Sequence, residues 1–257
     1  MTPVLLPKPA VTSSGELLRF DYLYSNAIAL TANQRTTLEI KTMQDCIFVV
    51  QTLMAKSTGR FQSRFLEDGS GNNWQNTLIT DTLVFGTAQL PNVLMTPVPL
   101  YSSSSVVLDI LDTSGAPNAV EVVLGGYKLA GEQGRPGGSG RIDIWYQYAV
   151  SKAVLASNED TMNLKLMADS WFEVKKASAR ATGNFEARIS DGLGKAWSDR
   201  YIQQDNQFGN AQYPRVLPMP KLLRPNSNIL VEVRDLSAAP NTIEVVFEGV
   251  KRFSIPS

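Results

Sequence analysis

The chain repeats its own sequence, and this repeat constrains the fold more than any other feature. The segment D-G-S-G-N-N-W at 68–74 returns as D-G-L-G-K-A-W at 191–197. From residue 68 to residue 128 the copies align without a gap at an offset of 123 residues, with about two dozen identities in roughly sixty positions. A period above a hundred residues is the size of a whole domain and far longer than a solenoid repeat. We therefore predict two domains of the same fold.

The composition along the chain suggests where these domains begin and end. Residues 1–18 carry three prolines within the first nine positions, which predicts an extended Pro-rich N-terminal arm. Residues 19–129 form copy 1, and residues 130–141 form a Gly-rich linker. Residues 142–257 form copy 2 with a short C-terminal tail.

Within each copy the hydrophobic pattern is that of β-strands. Ile243, Val245 and Phe247 alternate with neighbours that include two glutamates, which is a period of two. The turns S-G-A-P-N and S-A-A-P-N each separate two such strands and predict a hairpin. Only 160–168 shows a weak helical pattern. We expect an all-β protein of two tandem antiparallel β-sandwich, jelly-roll-like domains with about eight strands each.

Composition argues against several classes of function. The chain has no histidine and a single cysteine, Cys46, so we expect no metal site, no cofactor and no intrachain disulfide. The net charge is zero and no basic run is present, which disfavours a nucleic-acid binder. No apolar stretch approaches the ~18 residues of a membrane span. We interpret Cys46 as a small buried residue.

The repeated D-G-x-G-x-x-W segment has two interpretations. A calcium loop is one, but copy 2 places Leu193, Lys195 and Ala196 at the candidate ligand positions, and a lysine repels a cation. A tight turn followed by a packed tryptophan is the other, and we favour it. Trp74 and Trp197 are therefore predicted packing anchors in place of sugar-stacking rings.

The segment F-G-x-A-Q-x-P-x-V-L-x-x-P, at 85–97 and 208–220, is the most distinctive element. We expect Phe85 and Phe208 to pin an ordered connection to the core. Pro97 and Pro220 cannot donate a backbone hydrogen bond, so they predict an edge strand. A ligand-binding loop is the alternative.

The repeated acids do not form a recognisable catalytic pair. Glu121 and Glu244 are expected on the solvent face of a strand, and Asp112 and Asp235 at turns where they accept backbone N–H groups. With no nucleophile elbow and no acid–base pair, we expect no catalytic residue and a protein that is not an enzyme.

The F-G-x-A-Q-x-P segment and the closing strand I-E-V-V-F-E-G-V-K-R-F resemble jelly-roll domains of bacteriophage capsid-associated proteins, of the cement or decoration type. The resemblance implies a structural protein of the virion, made in the host cytoplasm, that stabilises the head shell. Its partners would be the major capsid protein, copies of itself, or both, with no nucleic acid and no membrane. Two alternatives within a particle stay open, a double jelly-roll major capsid protein and a tail or collar component. A tandem carbohydrate-binding module is the alternative from another class.

The N-terminal arm supplies the only candidate assembly contacts. Val4, Leu5, Leu6 and Val11 are apolar, and a short Pro-rich segment cannot bury them by itself. We expect these four side chains to contact another subunit.

Overall fold

The structure is a computed structural model that describes residues 19–44, 46–67, 73–130 and 142–253. The predicted arm at 1–18 and nearly all of the predicted linker lie outside these ranges. Among the described residues, no helix has the length and apolar character needed to cross a membrane.

Copy 1 is built from eight strands and one short helix, and copy 2 repeats the same series. The elements of copy 1 are β1 (Arg19–Leu30), β2 (Arg35–Lys41), β3 (Cys46–Ser57), β4 (Phe61–Glu67), β5 (Ile79–Thr80), α1 (Asp81–Val84), β6 (Asn92–Leu100), β7 (Ser105–Asp112) and β8 (Asn118–Ala130). Those of copy 2 are β9 (Ile142–Val154), β10 (Glu159–Lys165), β11 (Trp171–Ala181), β12 (Phe185–Asp191), β13 (Ile202–Gln203), α2 (Gln204–Gln207), β14 (Arg215–Leu223), β15 (Asn228–Asp235) and β16 (Asn241–Phe253).

The strands of each copy form two four-stranded antiparallel sheets. In copy 1 the orders are β1-β8-β3-β6 and β2-β7-β4-β5, and in copy 2 they are β9-β16-β11-β14 and β10-β15-β12-β13. Consecutive strands therefore alternate between the two sheets, except for the β4-β5 and β12-β13 pairs. This is the eight-stranded jelly roll. The predicted fold class, two antiparallel β-sandwiches of one topology, is confirmed.

The hairpin prediction is wrong. The S-G-A-P-N turn joins β7 to β8, and these strands lie in opposite sheets of the sandwich. Alternation along a strand shows which side chains face the core, but it carries no information on which strand is the hydrogen-bonded neighbour. The helical pattern at 160–168 is wrong as well, because this segment contains β10, where Met162 and Leu164 alternate inward.

The core of each sandwich lies between its two sheets. Copy 2 contributes one cluster of buried apolar residues, and copy 1 contributes a second. The cluster of copy 1 also includes Trp145, Ala149 and Val246, which belong to β9 and β16 of copy 2. The two sandwiches thus share buried apolar surface, and their contact is part of the folded chain.

Candidate assembly interface

Trp74 joins the two copies. Its ring is fully buried, stacks on Phe65 of its own sandwich with centroids 5.2 Å apart, and meets Trp145 of β9 edge-on at 5.9 Å. Stacked and edge-to-face pairs are the favoured geometries of aromatic rings. The predicted packing anchor of copy 1 therefore lies in the contact between the copies.

The residues after Trp74 extend a sheet of copy 2. Strand β9 is the outer strand of its sheet, and an outer strand presents unpaired backbone groups. The Gln147 N–H donates to Trp74 O at 2.9 Å, and the Asn76 N–H donates to Gln147 O at 3.3 Å. The Asn76 side chain accepts the Ala149 N–H at 2.7 Å and donates to Ala149 O at 2.9 Å. Copy 1 thus satisfies the free edge of β9.

A chain of buried polar side chains crosses the same contact. The amide of Gln75 accepts the Phe65 N–H at 2.8 Å and donates to Gln147 at 2.7 Å. The amide of Gln147 donates to Glu248 at 3.3 Å, and Glu248 pairs with Lys176 at 3.0 Å.

Lys176 in turn returns to copy 1. Its ammonium group donates to Asn92 Oδ1 at 3.3 Å and to Val93 O at 2.5 Å. Lys176 and Glu248 are both nearly inaccessible, and a buried charge is tolerated only when it is paired and hydrogen-bonded. In this contact both buried charges are therefore compensated.

Glu244 is buried by the contact, which corrects the prediction of a solvent-facing carboxylate. It accepts the Thr80 N–H at 3.2 Å and the Thr80 hydroxyl at 2.5 Å, both from copy 1. Burial raises the pKa of Glu244 above its usual value, although the Thr80 hydrogen bonds and the nearby Arg180 act in the opposite direction. Glu121, the equivalent residue of copy 1, is exposed as predicted.

A second point of contact uses the F-G-x-A-Q loop of copy 2. The Ala211 N–H donates to Thr82 O of copy 1 at 3.0 Å. Gln212 lines a cavity of about 170 Å³ beside Phe61, Thr82 and Phe85. The loop of copy 2 therefore covers a pocket of copy 1.

The repeated anchor residues occupy equivalent places in the two sandwiches. Phe85 lies 5.8 Å from Phe61, and Phe208 lies 6.0 Å from Phe185. Trp197, unlike Trp74, is only half-buried and packs edge-on against Phe247. The prolines Pro97 and Pro220 are exposed on β6 and β14, the outer strands of their sheets. The four arm residues Val4, Leu5, Leu6 and Val11 lie outside the described residues.

The turn aspartates act as backbone acceptors. Asp235 accepts the nearby Ser237 N–H at 3.1 Å, as predicted. Both aspartates also accept an N–H from a distant part of the chain, Asp112 that of Asn33 at 2.9 Å and Asp235 that of Ser157 at 2.8 Å. Burial would raise the pKa of Asp112, but hydrogen bonds from Asn33, Ser114 and Asn118 outweigh it and lower this pKa to about 2. These carboxylates therefore hold turns together.

The D-G-L-G segment of copy 2 is a closed turn. Asp191 Oδ1 accepts the N–H groups of Leu193 at 3.1 Å and Lys195 at 2.8 Å, while Gly194 has a φ of 79°. The corresponding loop of copy 1, residues 68–72, lies outside the described ranges. Across the part of the chain that the structure describes, no cluster of three or more His, Cys, Asp or Glu side chains suits a metal ion.

Sequence reasoning missed the polar residues of the contact, namely Gln75, Gln147, Lys176 and Glu248. The sheet registers show what distinguishes the two copies here. Lys176 faces Glu248 in copy 2 where Thr52 faces Gly125 in copy 1, so copy 2 carries an opposite pair of charges where copy 1 carries none. A charged pair that is specific to one copy marks a surface that meets something different in that copy.

Comparisons with known proteins return distant structural likenesses only. No family model matches the chain, and no curated protein matches it in sequence. The major capsid protein P2 of bacteriophage PM2 is similar over 91% of this chain and 98% of its own, at 9% identity and a TM-score of 0.47. The STIV MCP covers 89% of this chain and 96% of its own, at 11% identity and a TM-score of 0.44. PBCV-1 VP54, fitted into a reconstruction of the virophage Sputnik, is similar over 93% of this chain and 95% of its own, at 7% identity and a TM-score of 0.42. The fold assignment rests on the sheets of this chain and not on these likenesses.

Proposed function

We propose that this chain is a non-enzymatic structural subunit of a virus particle. One observation carries the proposal: two like sandwiches are joined side by side, with a surface of copy 1 fitted to a different surface of copy 2. A contact between unlike surfaces of like domains is the kind that extends into rings and layers. The sequence resemblance to jelly-roll domains of capsid-associated proteins supports the same role.

Within the particle we favour a subunit that forms the coat over a cement or decoration protein bound to a finished shell. The reason is that the side-by-side contact joins jelly rolls of one kind and needs no second protein. A decoration protein would instead carry its main contact toward a different partner. The tail or collar role has no observation in its favour.

The repeated aromatic residues argue against a carbohydrate-binding module. Such a module needs exposed rings at matching positions of both copies. The exposed aromatic side chains of the described residues are Phe20, Trp171 and Tyr213, and the equivalent residues are Ile144, Ile47 and Leu90. Phe85 and Phe208 are buried in their cores.

The test is assembly of the purified chain alone, followed by light scattering and negative-stain electron microscopy. A coat subunit should form closed shells or extended sheets without another protein. A decoration protein should stay small and bind only to a pre-formed shell supplied from the virus. A chain that neither assembles nor binds a shell would contradict the structural role altogether.

The N-terminal arm is a second element of this proposal. We expect Val4, Leu5, Leu6 and Val11 to reach a neighbouring subunit, where burial of apolar area contributes about 25 cal/mol per Å². Deletion of residues 1–12 should leave both sandwiches folded by circular dichroism and weaken incorporation into particles. Equal incorporation of the truncated and full-length chains would show that the arm has no role in assembly.

A further inference from the structure

We propose that an amide bond forms between the side chains of Lys176 and Asn92 and joins the two copies covalently, with Glu248 as the acid–base catalyst. The reacting groups are the Lys176 amine of copy 2 and the Asn92 carboxamide of copy 1. This inference adds a covalent modification to the contact between the copies and does not depend on the role in a virus particle. It rests on three buried side chains that meet at one point of that contact.

The three side chains come from three strands. Lys176 on β11 faces Glu248 on the neighbouring β16, and Asn92 begins β6 of copy 1. The Lys176 Nζ lies 3.0 Å from Glu248 Oε1 and donates to Asn92 Oδ1 at 3.3 Å. Because Cγ of Asn92 is bonded directly to Oδ1, the amine nitrogen lies beside the carbonyl carbon that it would attack.

Burial separates these groups from water. Asn92 is 1% exposed, Lys176 3% and Glu248 5%. Val246, two residues before Glu248 on the same face of β16, belongs to the buried apolar cluster of copy 1. Water therefore competes neither for the carbonyl carbon nor for the proton that moves between the amine and the acid.

Hydrogen bonds hold the carboxamide and the amine in place. The Asn92 Nδ2 donates to Val84 O at 2.8 Å, and the Lys176 Nζ also donates to Val93 O at 2.5 Å. The carboxamide is therefore fixed with its Oδ1 turned toward the amine. Such positioning speeds a reaction between two groups, because the entropy of bringing them together has already been lost on folding.

Glu248 is placed to move protons. Its Oε2 accepts the Gln147 amide at 3.3 Å, whereas its Oε1 lies 3.0 Å from Nζ and accepts no other hydrogen bond from the described residues. Transfer of one proton from the ammonium group to Oε1 gives a neutral acid and a neutral amine, whose lone pair can attack. The transfer also removes both charges from a site where an unpaired charge would be costly.

The reaction exchanges one amide for another. The Nζ lone pair attacks Cγ of Asn92 and forms the new C–N bond. Glu248 then gives its proton to Nδ2 and takes one from Nζ, while the bond between Cγ and Nδ2 breaks. Ammonia leaves, and Glu248 again carries one proton. The exchange consumes no oxidant and no reductant.

The repeat provides this set of groups once. Copy 1 has Thr52 and Gly125 in place of the lysine and the glutamate, and copy 2 has Arg215 in place of the asparagine. One bond would therefore form per chain, and it would close a loop that spans 84 positions. A cross-link stabilises a fold by restricting the unfolded chain, so the midpoint of thermal unfolding should rise by roughly 10 °C as the bond forms.

The mass of the intact chain tests the bond directly. Purified full-length protein, incubated and then denatured, should be lighter than its sequence by one ammonia molecule. Trypsin should release a branched peptide that joins the segments around Asn92 and Lys176 and is uncut after Lys176. The full sequence mass after prolonged incubation, or a loss of ammonia without this branched peptide, would overturn the inference.

A cut in the linker makes the reaction visible on a gel. A chain with a protease site between Gly137 and Gly138, cut soon after purification, should give two fragments on a denaturing gel. Incubation of the cut protein should convert them into one band of the combined mass, because the bond joins Asn92 of one fragment to Lys176 of the other. A single band from the start would also support the inference, and two bands that persist would contradict it.

Conservative variants separate the chemistry from the packing. Lys176→Arg keeps the charge but removes the nucleophile, and Glu248→Gln keeps the shape but removes the proton carrier. Both should keep the full sequence mass and the wild-type circular dichroism. Lys175→Arg is the matched control, since the Lys175 amine donates to the Thr96 hydroxyl of copy 1 at 3.0 Å, and this variant should lose ammonia as wild type does. Bond formation at the wild-type rate in Glu248→Gln would contradict its role as catalyst. The branched peptide of wild type decides the inference even where a variant fails to fold.

Discussion

At the scale of single residues, the repeat places the same amino acid in two different environments. Trp74 is buried between Phe65 and Trp145, whereas Trp197 is half-buried against Phe247. Large-to-small substitution of a fully buried tryptophan costs about 3–5 kcal/mol. We expect Trp74→Ala to reduce the free energy of unfolding by this amount, and Trp197→Ala by about half or less because less area is buried. Urea unfolding followed by circular dichroism measures both, and equal losses would contradict the assignment of Trp74 to the contact between copies.

Glu244 and Glu121 are equivalent residues of the two copies, and only Glu244 is buried. This difference predicts how the free energy of unfolding depends on pH. Burial raises the pKa of Glu244 in the folded chain, so its protonated form is favoured there. The contribution of this group to stability is then fully present below its unfolded value of 4.5 and is lost as the pH rises through the higher folded value. We expect Glu244→Gln to flatten the decline in unfolding free energy above pH 4.5, measured by urea titrations at a series of pH values. Glu121→Gln should leave the decline unchanged, and an identical profile for wild type and Glu244→Gln would refute the assignment.

At the scale of elements, the packing of the F-G-x-A-Q segment against β3 explains why its second residue is a glycine. Gly86 bridges to β3, since its N–H donates to Leu53 O at 3.1 Å and its carbonyl accepts the Ala55 N–H at 3.0 Å. A Cβ atom at Gly86 would lie 2.1 Å from Leu90 O. We expect overpacking in Gly86→Ala to reduce the free energy of unfolding by about 1–3 kcal/mol or more. The midpoint of thermal unfolding should fall accordingly. Thr87→Ala is the control, and it should lower the midpoint less, because it removes only an exposed hydrogen bond that the Thr87 hydroxyl accepts from the Leu90 N–H at 3.3 Å. A Gly86→Ala midpoint equal to wild type would show that the loop can move aside.

How far the sequence predicts these elements depends on whether a feature is local. The alternation along β16 and the repeated turns predicted strands and a two-sandwich fold, because each depends on neighbours in the chain. Strand partners are not predictable in this way, and the turn between β7 and β8 crosses between sheets although its sequence is typical of a hairpin. The alternation along β16 predicts an exposed Glu244, because the pattern of one strand does not reveal that a second domain covers its outer face.

At the scale of the whole molecule, the two sandwiches share one buried contact. Residues from β9 and β16 belong to the buried cluster of copy 1, and the polar chain from Gln75 to Lys176 crosses between the copies. Removing one partner of a buried charge pair leaves the other uncompensated, at about 3–5 kcal/mol. Separation of the copies would expose this pair together with Trp74 and Trp145. The contact therefore couples the stabilities of the two domains.

This coupling predicts that the linker is dispensable once the chain has folded. A protease site inserted between Gly137 and Gly138 should allow cleavage into two fragments on a denaturing gel. In native size-exclusion chromatography the cleaved protein should elute with the uncut protein, because the contact and not the peptide bond holds the copies together.

Heating should give a single cooperative transition for the uncut chain, since neither sandwich can unfold without uncovering the other. The matched variant Lys176→Met, which leaves Glu248 unpaired, should weaken the contact and let cleaved fragments separate at lower urea. Two fragments that elute apart after cleavage of the wild-type chain, or two resolved unfolding transitions, would show that the copies are independent domains on a tether.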